Sequence, residues 1–295
     1  KACKNPVEIA GSKTAHTRDA AAMVRFLAWL DAQGRDARLT EIDVVKALEG
    51  FRMQTNALRD ISFETICGAG PNGAIVHYRV SENTNRALAR GELLLVDSGG
   101  QYIDGTTDIT RTMAIGTPTE EHRRCYTRVL QGMVAISRIR FPHGVGGQHL
   151  DALARAPLWL AGQDYDHGTG HGVGSYLSVH EGPQGISRRS EVALQQGMIL
   201  SNEPGYYREG AFGIRIENLI VVIDAPALAG ADDRQMLAFE TLTYVPFDRR
   251  LIDTSLLSTQ ERHWIDGYHA DTLQLLEPLL AASDCDWLKD ACAPL

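Results

Sequence analysis

The spacing of apolar positions divides the chain into helical and strand-like stretches. Met23, Leu27 and Leu30 recur at intervals of four and three, the period of one helix face, and predict a helix from about 14 to 30 with Gly34 as its stop. The dozen residues before it, KACKNPVEIAGS, read as a polar lead-in. Thr40 and Asp43 stand as a capping pair and predict a helix through Val45 and Leu48. A third helix is expected over 119–139, closed by Phe141 and Pro142, and a fourth over 148–160. Ser258 and Glu261 repeat the capping pattern ahead of a terminal helix through Trp264, Tyr268 and Leu275.

Between the helices lie apolar runs of strand length. CGAGPNGAIVHYRV reads as a loop and then a short strand ending near His77. GELLLVDSGGQYIDGTTDITRTMAIG and GMILSNEPGYYREGAFGIRIENLIVVI each read as strand, glycine-rich turn, strand. Two helices and a hairpin therefore occur twice, an unequal internal duplication by element order alone. The expectation is one α+β domain with a helical tail. Apolar runs such as Leu219 to Ile223 are strand-sized, far below the roughly 20 residues of a membrane span.

Composition changes this picture little. The 295 residues are 44% hydrophobic and 22% charged, which is ordinary for a globular chain. With 29 basic and 37 acidic residues the net charge is -8, which argues against a nucleic-acid partner. Five cysteines, none at CxxC spacing, favour reduced thiols in a cytoplasmic protein over disulfides or a cysteine-zinc site. The chain opens on Lys1, so a trimmed or partial chain is expected.

The candidate chemistry lies in paired carboxylates. Asp97 and Asp108 flank a turn whose midpoint falls near Tyr102 and Ile103. Residues equidistant from a hairpin turn face each other with Cβ atoms about 5 Å apart, where two like charges need neutralising. Glu203 and Glu217 repeat the arrangement about Gly210. One such pair could be chance, with one acid in solvent; two on matching hairpins point to a cation site for hard or borderline divalent metals. His167 and His171 bracket GTG, and His180 follows soon after. A lone histidine is more often a satisfied structural residue than a ligand, but two in a glycine-rich loop shift those odds. One imidazole with four carboxylates leaves charge enough for two dications.

Asp97, Asp108, His171, Glu203 and Glu217 match, in order and context, the five metal ligands of the pita-bread metallopeptidases. The segments GPNGAIVHY, LLLVDSGGQYIDGTTDITRT, HGTGHGVGSYLSVHEGP and NEPGYYREGAFGIRIEN resemble most closely the Xaa-Pro aminopeptidases (aminopeptidase P) of the three-domain type. The resemblance implies a pita-bread fold, a pseudo-twofold antiparallel sheet with flanking helices. It implies residues 1–12 as a linker from upstream domains, 13–247 as the catalytic unit and 248–295 as its helical extension. It further implies two divalent ions, usually manganese, bridged by a hydroxide. Asp97 would bind one ion, Asp108 and Glu217 would bridge both, and His171 with Glu203 would complete the second.

Glu203 is also the expected proton acceptor. His180 is expected to contact the scissile carbonyl or oxyanion, His77 the substrate backbone, and His167 the proline-side pocket. His77 alone could equally be a core histidine in an apolar strand. Arg215 is two residues from Glu217 and so shares its strand face, where it would support the acids; it could instead be a surface arginine. Tyr207 would add a hydroxyl, or simply pack. Glu181 could support a histidine. The expected substrates are peptides with a penultimate proline, and the resemblance implies a homodimer. The alternatives are a prolidase cutting dipeptides and a binding module that has lost catalysis.

Overall fold

The computed structural model describes residues 1–33 and 39–295. Among them, helices α1 (Pro6–Gln33) and α2 (Glu41–Met53) precede one antiparallel sheet, and α3 (Glu120–Ser137) and α4 (Gly147–Trp159) precede all but the edge strand of another. The first sheet holds Ile66–Ala69, Leu93–Ser98 and Ile109–Ala114, with Leu93–Ser98 in the centre. The second runs in the order Ile199–Asn202, Asn218–Asp224, Met236–Thr241, Arg140–Pro142. The expected repeat of two helices and a hairpin is thus present, and α5 (Thr259–Leu276) and α6 (Ala282–Ala291) form the helical tail.

Local sequence explains most boundaries. Thr40 with Asp43 and Ser258 with Glu261 form reciprocal capping boxes, as expected, and Thr119 does the same with His122. Each satisfies backbone N–H groups that a helix start leaves unpaired. The first helix begins eight residues earlier than its apolar stripe suggests. Asn5 Oδ1 accepts from the N–H groups of Val7 and Glu8, both at 2.9 Å, and Glu8 Oε2 accepts from the Asn5 N–H at 2.8 Å. Pro6 then sits at the first helical position, where its missing N–H costs nothing. The supposed lead-in is therefore largely helix. Gly34 lies outside the described residues.

Two further expectations are corrected. Phe141 and Pro142 do not merely close a helix; they belong to a strand pairing with Met236 and Leu237 at the sheet edge, where a proline is tolerated. The chain after Ile66–Ala69 enters a 3-10 turn at Gly70–Ala74, and His77 lies in an exposed turn rather than in a strand.

The central strand of the first sheet alternates its faces. Leu94 and Val96 pack against Met23, Leu27, Val44 and Leu48 of α1 and α2. Leu95 turns the other way, against Ile66 and Tyr78, and a period of two puts Asp97 on that same face. The second sheet does likewise: Ile220 and Val222 pack with Leu150 and Ala154 of α4, while Leu219 and Val221 face the opposite side.

Candidate metal centre

The two carboxylate pairs arrive by slightly different registers. Gly205 pairs with Arg215 and Arg208 with Phe212, and farther down Asn202 pairs with Asn218. Both ladders are symmetric about Gly210, so Glu203 stands opposite Glu217 at the break between them. There each glutamate leaves its hairpin partner. The Glu203 N–H donates to Thr169 O at 2.7 Å and the Glu217 N–H to Thr110 O at 3.1 Å. The first pair is diagonal rather than face to face: Asp97 lies opposite Thr110, two residues beyond Asp108. The turn is centred one residue past the point that the acids' midpoint suggests, because Tyr102 pairs with Gly105. Asp97 and Asp108 still share a face.

These four acids and His171 converge. One ligand atom each from Asp108, His171 and Glu217 lies within 4.8 Å of the others. His171 Nε2 is 3.5 Å from Asp108 Oδ2 and 3.3 Å from Glu203 Oε1. Its Nδ1 is 2.9 Å from Gly172 O, and donation there leaves Nε2 as the electron-pair donor facing the acids. Asp97 Oδ2 accepts from Arg215 Nη2 at 2.7 Å, Glu217 Oε2 from Thr110 Oγ1 at 2.7 Å, and Glu203 Oε1 from Ser201 Oγ at 2.9 Å.

The remaining oxygens show whether a metal fits. Asp97 Oδ1, Asp108 Oδ1 and Glu217 Oε1 are buried and have no hydrogen-bond partner among the described residues. Buried anionic oxygens left unpaired cost several kcal/mol unless a cation takes them. A set of carboxylate oxygens and one imidazole suits divalent ions such as manganese or zinc. The residues fit a metal centre.

Without an ion the charges push on one another. Burial first, then the Asp97 carboxylate, raises the Asp108 carboxyl to about 7, although His171 opposes this. Burial and the neighbouring acids hold Glu217 well above the usual carboxylate range, and burial raises Glu203. Burial lowers the His171 imidazole, but Asp108 and Glu203 outweigh it and bring it up to about 9. A bound cation would reverse this order, favouring ionised carboxylates and a neutral imidazole.

The other expected residues separate into an inner relay and an outer rim. Arg215, buried, reaches Asp97 through Nη2, Tyr207 Oη through Nη1 at 2.6 Å, and Thr110 Oγ1 through Nε at 3.3 Å. It is no surface arginine, and its acid is Asp97 across the seam between the two hairpins. Tyr207 Oη also lies 2.9 Å from His167 Nε2, whose Nδ1 faces Gly168 O at 2.8 Å. The phenol therefore accepts from Arg215 and donates to His167. Burial, then Arg215, lowers the His167 imidazole to about 4, so it is neutral at pH 7. His180 lies edge-on to His171, ring centroids 4.3 Å apart, on the exposed side. His77 is exposed too. Glu181 takes Lys4 and Lys1 as its charge partners.

Sequence reasoning missed Thr110, Ser201, Glu41 and Lys4. Thr110 was within reach, since it lies two residues from Asp108 on a strand. Ser201 likewise precedes Glu203 by two. Glu41 gave no local signal. Its buried carboxylate accepts from the N–H groups of Ala69 and Arg86, from Asn72 Nδ2 and from Tyr78 Oη, and so ties down the segment that carries His77.

Two helix-and-hairpin halves enclosing a carboxylate–imidazole centre define a pita-bread metalloenzyme fold. The chain belongs to metallopeptidase family M24, whose sequence profile matches residues 10–224, and the profile of that family's C-terminal region matches 235–295. It is 46% identical to the probable Xaa-Pro aminopeptidase P of Laccaria bicolor over 301 aligned residues, covering 100% of this chain and 47% of that protein. Among solved structures, the X-prolyl aminopeptidase of Caenorhabditis elegans, described as a cytosolic enzyme with a di-nuclear active site, superposes with TM-score 0.96 at 39% identity, over 100% of this chain and 49% of that one. The Xaa-Pro dipeptidase from Bacillus anthracis superposes with TM-score 0.70 at 28% identity, over 84% of this chain and 63% of that one. The chain spans about half the length of the curated relatives it matches. Among the described residues no helix is long and apolar enough to cross a membrane.

Proposed function

We propose that this chain is the catalytic half of a Xaa-Pro aminopeptidase, which removes the first residue of a peptide whose second residue is proline. The observation that carries the reading is the full-chain likeness to a di-nuclear X-prolyl aminopeptidase, at TM-score 0.96. The five convergent donors support it. In this reading residues 13–247 are the catalytic unit and 248–295 its helical extension. Asp97, Asp108, His171, Glu203 and Glu217 hold two divalent ions, and the ion we propose is manganese. Such ions acidify water and polarise a carbonyl near neutral pH.

The chain's own groups do the rest. Glu203, with Oε1 steadied by Ser201, would take on its other oxygen the proton given up by the attacking water and pass it to the leaving nitrogen. Arg215 orients Asp97 while Tyr207 links it to neutral His167. A bond to proline is a tertiary amide without N–H, so recognition falls to ring contacts. His180 beside His171 is set to meet the carbonyl oxygen, with His167 and His77 on the proline side.

The test is dialysis against a chelator, manganese add-back, and assay of a Xaa-Pro-Pro tripeptide beside a Xaa-Pro dipeptide. Metal-dependent release of the first residue from the tripeptide is expected. Cleavage of the dipeptide alone means a prolidase, and stoichiometric metal without cleavage means the other half of the protein is required. No metal and no cleavage would leave a non-catalytic binding module.

The setting we propose is cytoplasmic, as the worm enzyme is described. We also propose a homodimer. Leu153 in the middle of α4, and Trp159 and Leu160 where it ends, stand exposed, and such a patch is commonly covered by a partner. Leu160→Glu should shift a dimer to monomer in light scattering.

A further inference from the structure

We propose that Lys4, ahead of the first helix, is a positioning residue for the metal centre, holding His171 and His180 in place through Glu181. The inference rests on the reading of the centre given above. Lys4 is 5% exposed and its side chain 1%. Lysines are almost never so deeply buried unless paired. Its Nζ donates to Glu181 Oε1 at 2.8 Å and to Lys1 O at 3.1 Å. The second cation on Glu181 is different: Lys1 is 82% exposed in its side chain, and an exposed pair contributes little.

Lys4 is fixed at both ends. Its N–H donates to Gly197 O at 2.8 Å, and Cys3 bridges to Met198. Those residues open the strand Ile199–Asn202, which delivers Ser201 and Glu203 to the centre. A Cβ at Gly197, where φ is +84°, would press on the Lys4 carbonyl at 2.5 Å. The backbone that carries the ammonium is thus held against the start of a strand and not on a loose arm.

Glu181 passes this anchorage inward. Its own N–H donates to Gly172 O at 2.7 Å. The same carbonyl receives His171 Nδ1 at 2.9 Å. One oxygen therefore takes two donors, one from the loop and one from the imidazole, and its place sets where His171 Nε2 points. Glu181 also directly follows His180, whose ring rests edge-on against His171. Moving the Glu181 backbone would move both imidazoles. Groups that orient a metal-binding histidine in this way are typically worth about 10- to 100-fold in metal affinity or activity.

Lys4→Met keeps the length and apolar stem and removes the charge. In the 295-residue chain, manganese affinity by calorimetry should fall on the order of 10-fold, and kcat on the tripeptide should fall while KM changes little. Glu181→Gln should shift affinity in the same direction, and the double variant should be no worse than the poorer single one. A Lys4→Met protein that only melts earlier, with unchanged affinity and kcat, would overturn the proposal. Should Lys4→Met fail to fold, Glu181→Gln decides alone, since unchanged affinity there has the same meaning. The His171 Nδ1–H signal in proton NMR of the metal-free protein separates this idea from the metal reading. It should move or exchange faster in Lys4→Met, and an unmoved signal overturns the proposal even if the parent chain binds no manganese.

Discussion

Glu217 shows what the centre demands of one side chain. It is 1% exposed, one oxygen is held by Thr110, and the other has no partner among the described residues. Its ionised form is disfavoured by burial and by Asp108 and Glu203. Glu217→Gln should therefore melt no lower than the parent in chelator, and it should lose most of the rise in melting temperature that manganese gives the parent. A site filled at a hundred times its dissociation constant adds about 2.7 kcal/mol, and scanning calorimetry with and without metal reads the difference. Tyr207 makes the complementary case. Tyr207→Phe leaves Arg215 Nη1 and His167 Nε2 without their shared oxygen, a loss on the order of 1–3 kcal/mol for buried groups. Steady-state assay should show kcat/KM down by roughly 10-fold or more, with manganese affinity changed far less. The acids were legible because they recur in pairs about two turns, symmetric for Glu203 and Glu217 and one residue off for Asp97 and Asp108, and His171 because it stands in a glycine-rich loop. Thr110 and Ser201, each two residues from a site acid, were within reach, whereas Lys4 and Glu41 were not, because their partners lie far along the chain.

At the scale of elements, periodicity was a good guide wherever the backbone was regular. Met23, Leu27 and Leu30 are buried as the stripe predicts, and the glutamates face each other because both ladders count evenly from Gly210. It was a poorer guide where a turn's centre had to be guessed, as between Asp97 and Asp108, and where capping rather than packing starts a helix, as at Asn5. His77 was misplaced for a related reason: the apolar letters around it line a turn anchored by Glu41, not a strand. That turn also leans on a neighbouring strand at a contact without room for a side chain. A Cβ on Gly213 would collide with the carbonyl of Gly73. Gly213→Ala should cost about 1–3 kcal/mol, as overpacking does, and should raise KM by displacing the His77 turn. Urea unfolding and substrate titration check the two halves of that expectation.

For the whole molecule, the buried histidines are a weakness in acid. His269, fully buried, accepts from the Phe247 N–H at 3.2 Å. Burial first, then Arg249 and Arg111, lowers its pKa to about 3. The unfolded chain holds a proton there below about 6.5 and the folded one does not. Stability from this group is thus present above that pH and lost as pH falls toward 3. The loss is about 2 kcal/mol at pH 5. His16 is shifted in the same direction by burial. The raised Asp108 and Glu217 carboxyls push the other way in the metal-free protein, so the check is a comparison of variants: between pH 7 and pH 5 the urea midpoint of His269→Gln should fall less than, or rise more than, that of the parent. A wider consequence follows from where the donors come from. Asp97 and Asp108 belong to the first helix-and-sheet half, while His171, Glu203 and Glu217 belong to the second. Neither half holds the full set, so an ion held at Asp108, His171 and Glu217 would act as a removable cross-link between them. Adding manganese should slow amide exchange in both sheets together. Two fragments separated after Gly116 should reassociate more tightly with the ion than without it.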